Sequence, residues 1–349
     1  MCQGMLGNGN EDTGQVDSGC SGIQAKVLNF HHTSRTSRHI FTEFTTNPYL
    51  LRQCRLRFAD GILIDILLHE TFNEMKLKNA KVLITGGASG IGKVMGRMAL
   101  EKGASCFIIW DINLLGIEQT RKELSRYGKV KGFVVDVSDP ELVNLTYRQT
   151  VKECGQVDIL INCAGIVTSN RTFDMVTSEE IIRTMHINAL APMFVARTVL
   201  PDMLRRNSGH ICTITSAGGM ISTPKMSVYA ASKWAATGWS DSVRIELQEM
   251  KSAVRVTTVT PYYINTGMFD GVRSRIIPIL KPEYVARRIL RAIERNRNFR
   301  GIPFGFHFIR FWQAILPSRI FDWFFGQVFG IYHAMDDFKG RRKEISTEN

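Results

Sequence analysis

Between residues 80 and 261, six nearly continuous apolar runs alternate with longer segments of helical period, and few architectures can bury such a pattern. The runs are KVLITG (81–86), SCFIIWD (105–111), KGFVVDV (131–137), DILINCAG (158–165), GHICTITS (209–216) and VRVTTVTP (254–261). Runs this apolar suit strands covered on both faces, as in a parallel sheet. The segments between them, 93–102, 113–127, 140–153, 178–206 and 227–250, carry apolar residues at helical spacing. Strand–helix alternation predicts an α/β fold, a Rossmann-like doubly wound parallel sheet.

The rest of the chain is unlike this core. Residues 1–22 are rich in Gly, Asn and Asp with few apolar side chains, a composition that cannot offset the entropy of ordering. The run GILIDILL (61–68) is too short to span a bilayer, which takes about 20 residues. At Met75 a short polar lead, MKLKNA, enters the first apolar run directly and resembles a natural start of translation. Residues 1–74 are therefore expected to be disordered or an upstream extension from a mis-called start, with a targeting or anchoring segment as the alternative. Residues 75–300 form the expected main domain. Residues 301–349 are a C-terminal apolar and basic helical extension.

The net charge of +12 points to an anionic partner: a phosphate-bearing cofactor, a membrane surface or nucleic acid. It is unevenly spread. Residues 1–74 carry six Lys and Arg against eight Asp and Glu, whereas residues 271–349 carry fifteen against seven. No nucleic-acid-binding motif accompanies the basic residues, which lie beside aromatic helices, so no nucleic-acid partner is expected. The seven cysteines contain no C-x-x-C pair and are odd in number. They suit reduced thiols in a cytoplasmic protein. The histidines lack metal-ligand spacing, and no metal is expected.

The turn after the first run reads Thr85-Gly86-x-x-Ser89-Gly90-Ile91-Gly92 and opens a helix. Glycines permit a tight turn and close approach of backbone to a pyrophosphate, which the free N–H groups of the following helix attract. Strand before and helix after are the context that gives such a motif meaning. Asp111 ends the second run, 25 residues after Gly86. A carboxylate there accepts from ribose hydroxyls and repels a 2′-phosphate, so NAD(H) is expected over NADP(H), the alternative cofactor. Asp111 as a cap of the next helix is the competing reading. Asp136 and Val137, at the end of the third run, are placed to meet the adenine, with strand-end capping again the alternative.

In MSVYAASKWAATGW (226–239), Tyr229 precedes Lys233 by one helical turn. Ser216 ends the fifth run, and Asn188 lies upstream in MHINALAP. With the glycine-rich turn, these motifs resemble the short-chain dehydrogenase/reductase family over roughly residues 78–300. The resemblance implies a catalytic tetrad of Asn188, Ser216, Tyr229 and Lys233. A phenol with a pKa near 10 is a poor base at neutral pH. A neighbouring ammonium and the charge of an oxidised nicotinamide favour the phenolate. Bringing the phenol near neutrality takes about 4 kcal/mol of differential stabilisation. Tyr229 is then the general base in oxidation and the general acid in reduction. Ser216 would hold the substrate oxygen, Lys233 the ribose, and Asn188 a water linking Lys233 to solvent.

Two departures accompany the resemblance. The usual Asn-Asn-Ala-Gly reads Asn162-Cys163-Ala164-Gly165, and Tyr262 stands where glycine usually follows Pro261. Asn162, Ala164, Gly165, Pro261, Ile264 and Thr266 are still expected against the cofactor. The next loop offers Met268, Phe269, Ile276, Ile277, Ile279 and Leu280 as an apolar wall, which suits a small apolar alcohol or carbonyl substrate. The stretch 281–301 reads as one helix, with Pro282 in its first turn and Gly301 beyond its end.

Beyond 303, aromatic residues at helical spacing with basic flanks suit either a helix lying in a membrane interface or a helical pair packed on the domain. LKPEYVARR and HAMDDFKGRR resemble the retinol dehydrogenase branch of the family, whose members act on retinoids, steroids and other lipids. A cytoplasmic homodimer or tetramer, peripheral on the cytoplasmic face of a membrane, is expected. The alternative is a non-enzymatic dinucleotide-binding, membrane-associated interaction protein.

Overall fold

The computed structural model describes residues 75–168 and 170–340. The expectations for residues 1–74, including Cys2, Cys20 and Cys54, lie outside the described residues.

All six predicted strands form: β1 (Lys81–Thr85), β2 (Cys106–Asp111), β3 (Val130–Val134), β4 (Ile159–Asn162), β5 (His210–Ile214) and β6 (Arg255–Pro261). They join a seventh, β7 (Phe299–Ile302), in one parallel sheet of order β3-β2-β1-β4-β5-β6-β7. The central strands are buried almost throughout, as runs covered on both faces must be. β7 was expected to be the end of a helix. That helix stops at Glu294, and Phe299–Ile302 pairs with Thr258–Pro261 at the sheet edge. Four residues with an arginine among them carry too little pattern to be recognised as a strand. β7 also crosses the expected domain boundary at 300/301, so the sheet draws the start of the tail into the domain.

The helices follow the predicted segments: α1 (Gly90–Glu101), α2 (Leu114–Leu124), α3 (Pro140–Cys154), α4 (Ser178–Met185), α5 (Ala191–Arg205), α6 (Ser227–Glu249) and α7 (Pro282–Glu294). α1, α2 and α7 cover one face of the sheet. α3 and α5 cover the other, where the Trp110 indole donates to Thr150 Oγ1 at 3.1 Å. One π-helical turn, His186–Leu190, separates α4 from α5. Such turns insert an extra residue into a helix and are frequent at functional sites; this one carries Asn188.

The tail continues with α8 (Ile309–Ile315) and α9 (Ser318–Phe321), and α9 runs on into a π-helical stretch, Asp322–Val328. Phe306, Ile309, Phe321, Phe325 and Ile331 are buried in the same core as α1 and α7. The helical extension is therefore part of the domain along its inner face. No helix among the described residues is long and apolar enough to cross a membrane.

Candidate active site

The strand order reverses between β1 and β4, and a crevice opens beyond the carboxyl ends of these strands. The crevice has a volume of about 700 Å³. Gly86, Ser89, Gly90, Ile91 and Gly92 form one wall. Gly86 and Gly90 have φ of +68° and +52°, a region that disfavours side chains. A Cβ on Gly92 would lie 2.2 Å from the Gly86 carbonyl oxygen. The turn is thus closed so tightly that only hydrogen fits, and it leaves its backbone bare at the start of α1. That cradle fits a dinucleotide pyrophosphate.

Asp111 stands in the same crevice. Its carboxylate oxygens accept from Ala88 N and Asn113 N, each at 3.1 Å. The cap of α2 is Asn113, whose side chain accepts from Gly116 N at 3.0 Å. Asp111 therefore buttresses the glycine-rich turn, and its carboxylate has further acceptor positions for a ligand. Asp136 accepts from the Ser138 backbone and hydroxyl at 2.9 and 2.6 Å. Asp136 and Val137 also line the crevice.

Two expected cofactor contacts lie elsewhere. Thr85 and Asn162 are buried behind the crevice wall. The Thr85 hydroxyl accepts from Cys163 N and Ala164 N at 3.0 and 3.1 Å, and Asn162 Nδ2 donates to Pro192 O at 3.3 Å. Both side chains help to fix the ends of β1 and β4, and they shape the wall from behind. Ala164, Gly165, Pro261, Ile264 and Thr266 do line the crevice.

Ser216, Tyr229 and Lys233 converge at its inner end. β5 delivers Ser216 onto a short turn, where its Oγ accepts from Gly218 N at 3.1 Å. α6 carries Tyr229 and Lys233 on one face, with Lys233 Nζ 5.8 Å from the Tyr229 ring centre and 3.3 Å from the Ile214 carbonyl oxygen. Both are buried. Burial pushes Tyr229 up to about 12, partly offset by its hydrogen bond with Ser216. Burial pulls Lys233 down to about 8, against the opposing influence of the Cys163 thiol. The phenol is thus raised rather than lowered by the chain's own surroundings: desolvation outweighs the Ser216 hydrogen bond.

Asn188 lies close by, in the π-helical turn. Its side chain accepts from Ile166 N at 2.8 Å and donates to Ile166 O at 2.9 Å and Ser232 Oγ at 3.2 Å. The amide ties the loop after β4 to α6, next to the Tyr229–Lys233 turn.

Cys163, in place of the usual asparagine, lines the crevice, and burial raises its thiol to about 12. Tyr262, in place of glycine, leaves the next loop intact: its N–H donates to Ile302 O at 2.8 Å and its hydroxyl meets Ser274 Oγ at 2.9 Å. Its ring packs on Tyr263 and Phe306, with centres 4.7 and 5.6 Å apart.

Of the six residues expected as an apolar wall, only Met268 and Phe269 line the crevice. Ile276 and Ile279 are exposed, and Ile277 and Leu280 pack on the core. The chain turns away at Gly271 and is clasped by the tail: Lys339 N donates to Asp270 O at 2.8 Å and Arg273 N to Ala334 O at 3.0 Å. The apolar chamber is assembled instead from Met226, Tyr263, Phe269, Phe306 and Ile331. This chamber, about 40 Å³, shares Ser216, Tyr229, Tyr262 and Phe269 with the crevice. Sequence reasoning also missed Glu179, Ile182, Arg183 and His186 along the rim. Their i, i+3, i+4, i+7 spacing along α4 and into the π-helical turn, which begins at His186, was the available signal.

A doubly wound parallel sheet with a glycine cradle at its switch point defines a dinucleotide-binding protein. The model of the family described as short chain dehydrogenase matches residues 80–276. The chain belongs to the short-chain dehydrogenase/reductase family, and it is an alcohol/carbonyl oxidoreductase of that family, whose members use NAD(P).

The chain is 34% identical over 269 residues to epidermal retinol dehydrogenase 2 of Mus musculus, covering 75% of this chain and 86% of the relative. It is also 34% identical over 240 residues to estradiol 17-beta-dehydrogenase 11 of Homo sapiens, covering 68% and 79%. Among solved structures, a short-chain dehydrogenase/reductase from Burkholderia phymatum in complex with NAD shares the fold at a TM-score of 0.62 and 20% identity. That likeness covers 68% of this chain and 94% of the other.

Proposed function

We propose that the protein interconverts an apolar alcohol, retinoid-, steroid- or lipid-like, and its carbonyl, with Tyr229 as general acid/base and NAD(H) as the preferred cofactor. The observation that carries this reading is one crevice that holds the glycine cradle and Asp111 at one end and Ser216, Tyr229 and Lys233 at the other, where it meets an apolar chamber.

When bound, the nicotinamide supplies the hydride acceptor or donor. Gly86, Ser89, Gly90, Ile91 and Gly92 hold its pyrophosphate, and Asp111 the ribose hydroxyls. Ser216 donates to the substrate oxygen and holds it against Tyr229. In oxidation the Tyr229 phenolate takes the substrate hydroxyl proton; in reduction the phenol returns it. Burial, partly offset by the Ser216 hydrogen bond, holds the phenol at about 12, so the site is poised for ionisation only once further positive charge enters it. Lys233, already near 8, exchanges its own proton at modest cost. Asn188 positions the Tyr229–Lys233 turn through Ile166 and Ser232. The chamber rings of Tyr263, Phe269 and Phe306 favour an apolar substrate body.

Two copies are proposed to pair through α5 and α6, the latter exposing Trp234 and Ile245. The cytoplasmic face of a membrane is the proposed location.

The test is turnover of retinoid, steroid and long-chain alcohols with NAD and with NADP, beside Asp111→Ser. Wild type is expected to prefer NAD, and Asp111→Ser to narrow that preference by about tenfold or more, the effect of about 1.4 kcal/mol. Preference for NADP in the wild type would contradict the role given to Asp111.

A further inference from the structure

The tail has two faces of opposite use. Phe306 and Ile331 point inward and line the apolar chamber. On the outside, large apolar side chains are left in solvent: Phe304, Phe308, Phe311, Trp312, Ile315 and Trp323 are 42–61% exposed. They are not scattered singly. Phe304 meets Phe308 at 5.5 Å between ring centres, and Phe311 meets Trp312 at 5.4 Å. α8 and α9 adjoin, and the π-helical stretch that carries Trp323 runs on from α9. A concentration of exposed aromatic surface of this kind marks an interaction site.

The charge around it indicates what covers it. Arg310 and Arg319 are exposed between these apolar residues, and neither is in an ion pair among the described residues. Of the nearby acids, Asp336 and Asp337 are paired with Lys225 and Arg273, and Asp322, the one acid within 304–328, accepts from the Tyr332 hydroxyl at 2.7 Å. Residues 271–349 carry fifteen Lys and Arg against seven Asp and Glu. Tryptophan and phenylalanine with flanking arginines match a lipid–water boundary: rings enter the acyl edge while guanidinium groups reach anionic headgroups.

We infer that the outer face of residues 304–328 docks on an anionic lipid bilayer, with the apolar chamber directly behind it. An apolar molecule dissolved in that bilayer then has a short path along the tail to Tyr229. The path rests on the proposed apolar substrate, but docking itself does not depend on turnover, so either can fail while the other stands.

The test is flotation of the full chain with phosphatidylcholine vesicles, with and without phosphatidylserine. Wild type is compared with Phe311→Ser/Trp312→Ser/Trp323→Ser and with Arg310→Glu/Arg319→Glu. NADH binding and thermal melting verify that each variant is folded, and the arginine pair provides a readout that does not depend on the serine triple folding. The wild type is expected to float with phosphatidylserine-containing vesicles. The serine triple should bind about 100-fold more weakly, from the apolar area withheld from lipid. The glutamate pair should lose the preference for phosphatidylserine. A wild type that does not float, a serine triple that floats as well as wild type, or a glutamate pair with its lipid preference intact overturns the inference. So does a serine triple that changes from oligomer to monomer without any change in flotation, which would make this face a contact between copies.

Discussion

The two ends of the crevice are built in different ways. The cofactor end is made of backbone: a turn closed so tightly that Gly92 admits no Cβ, strand ends locked by Thr85 and Asn162, and Asp111 hydrogen-bonded into the turn. The substrate end is made of side chains brought together from distant segments: Met226 before α6, Tyr263 and Phe269 after β6, and Phe306 and Ile331 in the tail. A site made of backbone tolerates little change. A site made of interleaved side chains can be reshaped one residue at a time while the fold persists.

Gly92→Ala should break the cofactor end outright. Its Cβ would press on a carbonyl oxygen that the turn cannot move, so a stability loss of about 3 kcal/mol is expected. A nicotinamide fluorescence titration should find no NADH binding. Normal binding by this variant would show that the turn has slack.

Lys233 sits where the two ends meet, and its burial has a pH signature. Its folded-state value of about 8 lies below the ordinary 10.5. Between those values the unfolded chain holds a proton that the folded chain has released, so stability rises with pH through that window. The whole rise amounts to about 3 kcal/mol. In Lys233→Met this contribution is gone. Urea unfolding at pH 8 and pH 10.5 should show the wild type gaining more than the variant, and parallel changes in the two proteins would count against a buried, depressed lysine.

Phe269→Ala should have the smallest effect. The ring packs edge-on to Tyr229 and Tyr263 at 6.0 and 5.1 Å and is only partly buried. A loss of about 1–2 kcal/mol is expected, with NADH binding unchanged and KM falling for bulkier alcohols. If this variant lost NADH binding as Gly92→Ala does, the two ends would not be separable.

The same contrast explains what the sequence made legible. Thr85 to Gly92, Asp111 and the Tyr229–Lys233 pair are each local in the chain, and their spacing carries their geometry. The apolar chamber is not local. Ile276 and Ile279 had the composition of a wall yet face solvent, because the tail at 334–339 clasps the loop and turns it away. β7 was hidden by its brevity, since four residues at a sheet edge gain their strand character from pairing with β6. The commitment of Asn188 to Ile166 and Ser232 depends on a π-helical turn, a detail of hydrogen bonding that residue spacing does not encode. Nor does spacing reveal that burial raises the Tyr229 phenol.

The central claim is that Tyr229 moves the proton while others hold the ligands. Its most direct test is Tyr229→Phe, with nicotinamide absorbance followed against retinoid and steroid alcohols and their carbonyls, and NADH binding measured in parallel. The account predicts a fall in turnover of about 1,000-fold with NADH affinity nearly unchanged. A variant that turns over at the wild-type rate would contradict it.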